Sequence, residues 1–279
     1  MKIGLTIFPT DYSIAPGELA AAAEERGFES LWFPEHSHIP LSRKTPYPGG
    51  GDLPKMYYDV MEPFVALAMA AAATRELKVA TGVCLVAQRD PIQTAKSVAT
   101  LDLVSRGRFL FGIGAGWNQD ELEDHGARFA DRGAVMRDRI LAMKALWTAS
   151  QAEYHGKHVD FGPAMTWPKP VQKPHPPIHV GGGWPHGARR AIDYADGWSP
   201  IHGFGNLAAK LPEFRRLAAD AGRDPATLEI SIFGVPGKAD AIAPYRDAGA
   251  VRAVIALPPA DRDTILPLLD RFAKLPAQL

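Results

Sequence analysis

Three successive glycines, Gly181-Gly182-Gly183, precede Trp184-Pro185-His186 and the onset of a helical pattern. Backbone N–H groups freed by glycine at a helix N-terminus form an anion site, so the triplet reads as a phosphate cradle. A tight strand-to-helix turn is the plainer reading, and it needs fewer glycines. His36 closes the run Ser30-Leu31-Trp32-Phe33-Pro34-Glu35. An imidazole there can hold or deliver a proton near neutral pH, or simply hydrogen-bond the loop that follows. With His38 it makes a His-x-His pair that His179 and His202 could extend into the ligand set of a metal-dependent hydrolase. Only Asp261 stands as an acid at a matching strand end, which counts against that reading. Gly82-Val83 interrupts the β-rich run 78–86, as a bulge or the close approach of a ligand would. Gly114 ends the apolar run Phe109-Leu110-Phe111-Gly112-Ile113, and Trp117 and Trp184 each follow a glycine. Aromatic rings so placed can wall a flat ligand or pack as ordinary rim residues. Cys84 has no basic neighbour in sequence and reads as a small buried hydrophobe rather than a nucleophile.

These positions need elements to hold them, and the chain supplies a βα rhythm. Strands are expected at 2–8, 30–33, 78–86, 108–114, 178–181, 197–200, 228–233 and 251–257. Helices are expected at about 16–26, 63–74, 91–104, 131–148 and 261–275, with another beginning near Trp184. Asp90-Pro91 is an N-cap followed by proline at the first helical position, and Gly27 and Gly107 are C-terminal stops. A strand, a crossover helix and a second strand apolar on both faces form a parallel βαβ unit. Eight such strands predict an α/β fold, a (β/α)8 TIM barrel with insertions after strands two and four, in one domain over 1–279. The first insertion is the loop from Ser37 to about Glu62. The second, 149–177, includes a hairpin at 154–161 and a proline-dense extended stretch. Parallel barrels keep their chemistry at the carboxyl ends of the strands, where all the glycine turns above fall.

The chain has 279 residues, 31 basic and 31 acidic side chains, and a formal net charge of zero. Nothing in that balance favours nucleic acid or an anionic membrane as a partner. A single cysteine rules out an intrachain disulfide and fits a reducing compartment. The N-terminus enters a strand without a signal-peptide pattern, and the longest apolar run, Phe64 to Ala73, is too short to span a bilayer. The expectation is a cytoplasmic enzyme acting on a small molecule.

Together the motifs resemble the bacterial luciferase-like family of flavin- and deazaflavin-dependent oxidoreductases. The matching stretches are Glu29–His36, Thr81-Gly-Val-Cys84, Arg106–Trp117, His155-Gly-Lys157, Pro168–Gln172, Pro176–Gly183 and Ala195-Asp-Gly197, in order along nearly the whole chain. Pro34-Glu-His-Ser-His-Ile-Pro40 is most similar to the branch that uses coenzyme F420. The resemblance implies that Gly82-Val83 is a non-prolyl cis peptide bulge propping the tricyclic ring, with Cys84, Gly114 and Trp117 around it. It implies that Gly181, Gly182, Gly183 and Trp184 hold the cofactor phosphate, and that His36 handles a proton as hydride moves. Some sugar-phosphate dehydrogenases of the family carry a glutamate where this chain has Trp117, so their acid–base pair does not transfer; Asp120 or Glu121 are the local substitutes. The resemblance also implies a homodimer, and a reductase partner where reduced cofactor must be supplied.

The readings are therefore an F420-dependent hydride-transfer oxidoreductase, an FMN-dependent monooxygenase using oxygen, and a metal-dependent barrel hydrolase. A cofactor-binding protein with a degenerate site is the non-enzymatic one. The first expects no metal. The roof of the pocket is expected from the loop bearing Tyr47, Tyr57 and Tyr58 together with the second insertion.

Overall fold

The computed structural model describes residues 1–279. Eight parallel strands close on themselves: β1 (Lys2–Thr6), β2 (Ser30–Phe33), β3 (Lys78–Thr81), β4 (Phe109–Gly114), β5 (Ile178–Gly181), β6 (Gly197–Ser199), β7 (Glu229–Phe233) and β8 (Arg252–Ala256). Each pairs with the next, and β8 returns to β1 with Leu5 opposite Ile255. This is the expected (β/α)8 barrel. Eight main helices surround it: α1 (Pro16–Glu25), α2 (Pro63–Ala72), α3 (Pro91–Val104), α4 (Arg132–Thr148), α5 (His186–Tyr194), α6 (Leu211–Asp220), α7 (Ala239–Asp247) and α8 (Arg262–Phe272).

Local chemistry sets the helix ends. The carboxylate of Asp90 accepts from the Gln93 N–H at 2.8 Å with Pro91 at the first helical position, and Asp261 does the same for Thr264 at 3.0 Å. Gly27 and Gly107 follow α1 and α3 at φ 75° and 77°, where a side chain would be strained. Alternate strand residues face two ways. Leu5, Leu31, Val79, Phe111, Ile178, Ile230 and Ile255 pack outward in the core shared with the helices. Trp32, Ala80, Leu110, Phe233 and Val254 make a separate apolar plug along the barrel axis. Trp32 is completely buried, and its indole N–H donates to Ser30 Oγ at 2.8 Å. A Cβ at Gly112 would lie 2.0 Å from the Thr81 carbonyl oxygen and 3.1 Å from the Trp32 ring, so only glycine lets β3, β4 and this indole meet.

Below the plug the barrel is ionic. Arg252 is fully buried; it grips the Glu29 carboxylate through Nε and a terminal nitrogen at 2.6 and 2.7 Å, and reaches Glu229 at 3.1 Å and Ser231 at 2.8 Å. Burial pushes the Glu29 carboxyl up, but the Arg252 hydrogen bonds and charge outweigh it and set its pKa at about 2. His179, fully buried, faces a polar cavity of about 270 Å³ at this end, and neither ring nitrogen has a hydrogen-bond partner. Its nearest acid is Glu229, 3.7 Å from Nε2. Burial first, then the charge of Arg252, push the imidazole down to about 4.

That depression makes stability pH-dependent. The unfolded chain takes up this proton below an ordinary histidine pKa near 6.5, while the fold resists it down to about 4. The contribution is therefore complete above about pH 6.5 and disappears as pH falls toward 4. Urea unfolding is expected to show a loss of about 2 kcal/mol from this group between pH 7 and pH 5. A flat stability over that range would show that His179 is already charged or solvated in the fold.

The second insertion does not roof the pocket as expected. Its hairpin forms, from Ala152–His155 and Asp160–Ala164, with Tyr154 opposite Phe161. It follows α4, in the order the sequence suggests, and folds back along that helix, where the Asp138 carboxylate accepts from Tyr154 Oη at 2.6 Å and from the His158 N–H. Helix-to-strand connections lie at the opposite end of a barrel from strand-to-helix ones, so this hairpin does not roof the pocket. The roof after β4 is the short helix Gln119–Asp124 instead. No helix is long and apolar enough to cross a membrane.

Candidate active site

The carboxyl ends of the strands open into a chamber with two lobes. The inner lobe, about 290 Å³, has Gly82 and Val83 beyond β3, Gly114 to Trp117 beyond β4, and Gly181 and Gly182 beyond β5 in its wall. Ser199, Ile201 and Phe233 complete it from β6 and β7, and Arg132 and Arg190 from the first turn of α4 and from α5. The peptide bond between Gly82 and Val83 is cis. It divides the third strand: Lys78–Thr81 pairs with β2 and β4, while Cys84 and Leu85 continue against β4 alone. Val83 projects between two glycines. A Cβ would lie 2.5 Å from its Cγ2 at Gly114 and 3.2 Å from its Cγ1 at Gly181, so both must be small for this shelf to exist. Cys84 is fully buried behind it and absent from the wall; burial, then the charge of Glu35, raise its thiol pKa.

Pro34-Glu35-His36 sends successive side chains in different directions. The buried Glu35 carboxylate accepts the Leu85 N–H at 2.6 Å and pairs with Arg89, which also pairs with Glu62. Strand-two end and shelf are thus tied together. His36 places Nδ1 2.7 Å from Glu121 Oε2; its side chain is 6% exposed and that of Glu121 0%. The other Glu121 oxygen accepts the Ser37 N–H at 3.1 Å. With Glu121 ionised, the neutral ring carries its hydrogen on Nδ1, leaving Nε2, which has no partner in the chain, as the basic atom. Of the two local acids, Asp120 and Glu121, it is Glu121 that reaches His36, brought from the short roof helix.

The roof is clasped to the first insertion. The backbone N–H of Lys44 donates to Asp120, its ammonium pairs with Glu123 at 2.7 Å, and His38 Nε2 lies 2.9 Å from Asp124. Beneath the clasp, the His36 ring meets Tyr57 at 5.2 Å and Trp117 at 5.9 Å between centroids, and Tyr47 adjoins both of those aromatics. Tyr58 is more than half exposed and stays outside. His36 is not itself in the wall of the inner lobe; its ring adjoins Trp117, which is.

The far end of the inner lobe is cationic. Neither Arg132 nor Arg190 pairs with an acid; Arg132 donates to the Phe129 carbonyl at 2.8 Å and stacks on that ring at 3.8 Å. Burial, then the neighbouring Arg190 charge, lower the Arg132 pKa. Two unpaired guanidiniums in mutual repulsion are relieved by an anion. Nearby, Ser199 Oγ is buried without a partner. The N–H groups of Gly182, Gly183 and Trp184 have no acceptor in the chain, while the Gly182 carbonyl accepts from Trp198 at 2.9 Å. Gly183 and Trp184 line only the outer lobe. Shape, unpaired donors and charge fit a flat cofactor with an anionic tail. In sequence Arg190 belongs to the pair Arg189-Arg190, which reads as a solvated helix face, and Arg132 lies within an ordinary helical pattern; the structure instead turns Arg190 into the lobe.

The four histidines of a metal reading are dispersed. His36 is held by Glu121, His38 by Asp124, His202 by Tyr245 Oη at 2.7 Å, and His179 lies at the other end of the barrel. They share no common point.

The family model for luciferase-like monooxygenases matches residues 15–256. The chain belongs to that family. A luciferase-like relative is an uncharacterised protein of Mycobacterium tuberculosis, 38% identical over 98% of each chain. The F420-dependent hydroxymycolic acid dehydrogenase of the same organism is 29% identical over 88% of this chain and 66% of its own. Among solved structures, the monooxygenase RslO1 of Streptomyces bottropensis superposes over the full length of both chains with a TM-score of 0.80 at 21% identity, a likeness of fold. A sequence relative thus carries a deazaflavin name and a fold neighbour an oxygenase name, and the chamber lies at the barrel end where (β/α)8 folds place their chemistry.

Proposed function

We propose that this luciferase-like protein is a coenzyme F420-dependent oxidoreductase acting on a small organic molecule. One observation carries the reading: a single lobe runs from the Gly82–Val83 shelf to the unpaired Arg132 and Arg190, with the His36–Glu121 pair beside it. The F420-dependent relative supports the deazaflavin over FMN. When bound, the deazaflavin supplies or accepts a hydride.

The chain's own part is positioning and proton handling. Val83 and the bare Gly114 and Gly181 give the ring a shelf, and Arg132, Arg190 and Ser199 hold the anionic tail. His36 Nε2 takes the proton of a substrate hydroxyl during oxidation, or returns it to a carbonyl oxygen during reduction. Glu121 stabilises the imidazolium formed in the first case and fixes the tautomer in the second. Trp117 and the tyrosines keep water from this proton. The exposed apolar groove between α2 and α3, with Val65, Met69 and Val104, supports the expected homodimer.

Fluorescence titration with F420 and with FMN tests the cofactor. Tighter binding of F420 and turnover indifferent to oxygen are expected. Preference for FMN with substrate-dependent oxygen consumption would favour the monooxygenase reading that the family's name supports. Arg190→Ala is expected to weaken F420 binding by about tenfold or more, a charge-assisted contact being worth about 1.5–3 kcal/mol. Unchanged affinity would remove Arg190 from the tail site.

A further inference from the structure

We infer that the outer lobe of the chamber receives the apolar body of the substrate, an alkyl chain or a hydrocarbon ring system, and neither a sugar nor a phosphorylated molecule. The inference rests on the oxidoreductase reading and deepens it. The outer lobe encloses about 580 Å³ and meets the inner lobe at Trp117, Gly182 and Ile201. A molecule in each lobe would therefore touch at Trp117, the ring beside His36.

The two lobes differ in chemistry. The inner one ends in unpaired arginines. The outer one is walled by Trp117, Trp184, Ile201, Phe204 and Leu207. Its single cation, Lys210, is already engaged, paired with Glu213 at 2.9 Å and lying over the Trp184 ring at 5.3 Å. The Asn206 side-chain oxygen accepts the Ala209 N–H at 3.3 Å, so it too is occupied. Besides the backbone N–H groups of Gly183 and Trp184, the polar donors left in this lining are the Asn206 amide nitrogen and the Lys210 ammonium, already paired with Glu213. A sugar or phosphate would lose its water there for few replacement hydrogen bonds. An apolar body loses nothing comparable and covers Ile201 and Phe204, which are 51% and 62% exposed. The volume lies in the ordinary range for a pocket that buries a small organic ligand.

The test uses a ketone series, 2-butanone, 2-heptanone and 2-undecanone, titrated into cofactor-free protein by intrinsic tryptophan fluorescence. Affinity is expected to tighten by about threefold to fourfold per methylene until the lobe is filled. Phe204→Asp, a change at an exposed side chain, is expected to flatten that dependence while leaving F420 affinity unchanged. With F420 supplied, KM should follow the same chain-length trend and kcat should not. Equal affinity across the series would overturn the inference, as would a Phe204→Asp variant that lost F420 binding, which would put the cofactor tail in this lobe. Failure of F420 to bind at all would sink the F420 reading and leave the ketone titration interpretable on its own.

Discussion

His36→Ala is expected to lower turnover by about 10²–10⁴-fold, the usual range for removing a general acid–base, with F420 affinity largely kept. The side chain lies beside Trp117 and outside the cofactor lobe's wall, so its loss removes proton handling without removing the shelf or the arginines. Glu121 acts through His36. Glu121→Gln keeps the hydrogen-bonding shape but removes the charge opposite Nδ1. It should move the kcat pH profile of the imidazole downward and lower kcat while leaving cofactor binding alone. The double variant should be little worse than His36→Ala, because two groups that work as a unit are not additive. Full turnover in His36→Ala would take the histidine out of the mechanism. A Glu121→Gln variant with reduced stability but an unmoved pH profile would make the carboxylate a structural strut.

Arg252→Met is expected to cost about 3–5 kcal/mol of stability, the range for breaking a buried ion pair from one side. The guanidinium is completely buried, chelates Glu29 through two nitrogens, and also satisfies Glu229 and Ser231. Removing it leaves two carboxylates at the barrel's narrow end with only Lys2 and Lys78 beside them, at 3.1 to 3.9 Å. Arg252→Lys should recover little, because an ammonium cannot reproduce the two-pronged contact. Adding Glu29→Gln and Glu229→Gln to Arg252→Met should restore part of the loss, since the unpaired charge is the costly element. Denaturant unfolding at pH 7 measures all four proteins. A loss under 1 kcal/mol for Arg252→Met would mean that water replaces the guanidinium. Activity is expected to change less than stability, because the network lies below the Trp32 plug and the chemistry above it.

Features set by neighbouring residues are legible in the amino-acid order alone. The break at Gly82, the Asp90-Pro91 start of α3, the glycine stops and strand β5 at 178–181 follow from turn and cap chemistry within a few residues. His36 at the end of a strand is legible for the same reason. Its partner is narrowed only to Asp120 or Glu121, because the choice depends on how the short roof helix faces the loop after β2. Arg132 gives no signal, and the pair Arg189-Arg190 reads as a solvated helix face, because which side of a basic helix turns toward a cavity is decided by packing. The hairpin and its place after α4 are legible; the expectation that it roofs the pocket fails because a helix-to-strand connection lies at the far end of the barrel.

The alternation of strands and helices, and with it the barrel and the rim on which the glycine turns gather, is written in the order of residues. Short-range periodicity, proline geometry and capping make those choices, and a linear chain displays them openly. The pair proposed to handle the proton and the pair that holds the base come from the folded chain alone: His36 with Glu121, 85 residues apart, and Arg252 with Glu29, 223 apart. The first exists because β2, β3 and β4 lie side by side and bring the loops after β2 and β4 together, the second because the sheet closes between β8 and β1, and both are shut off from water.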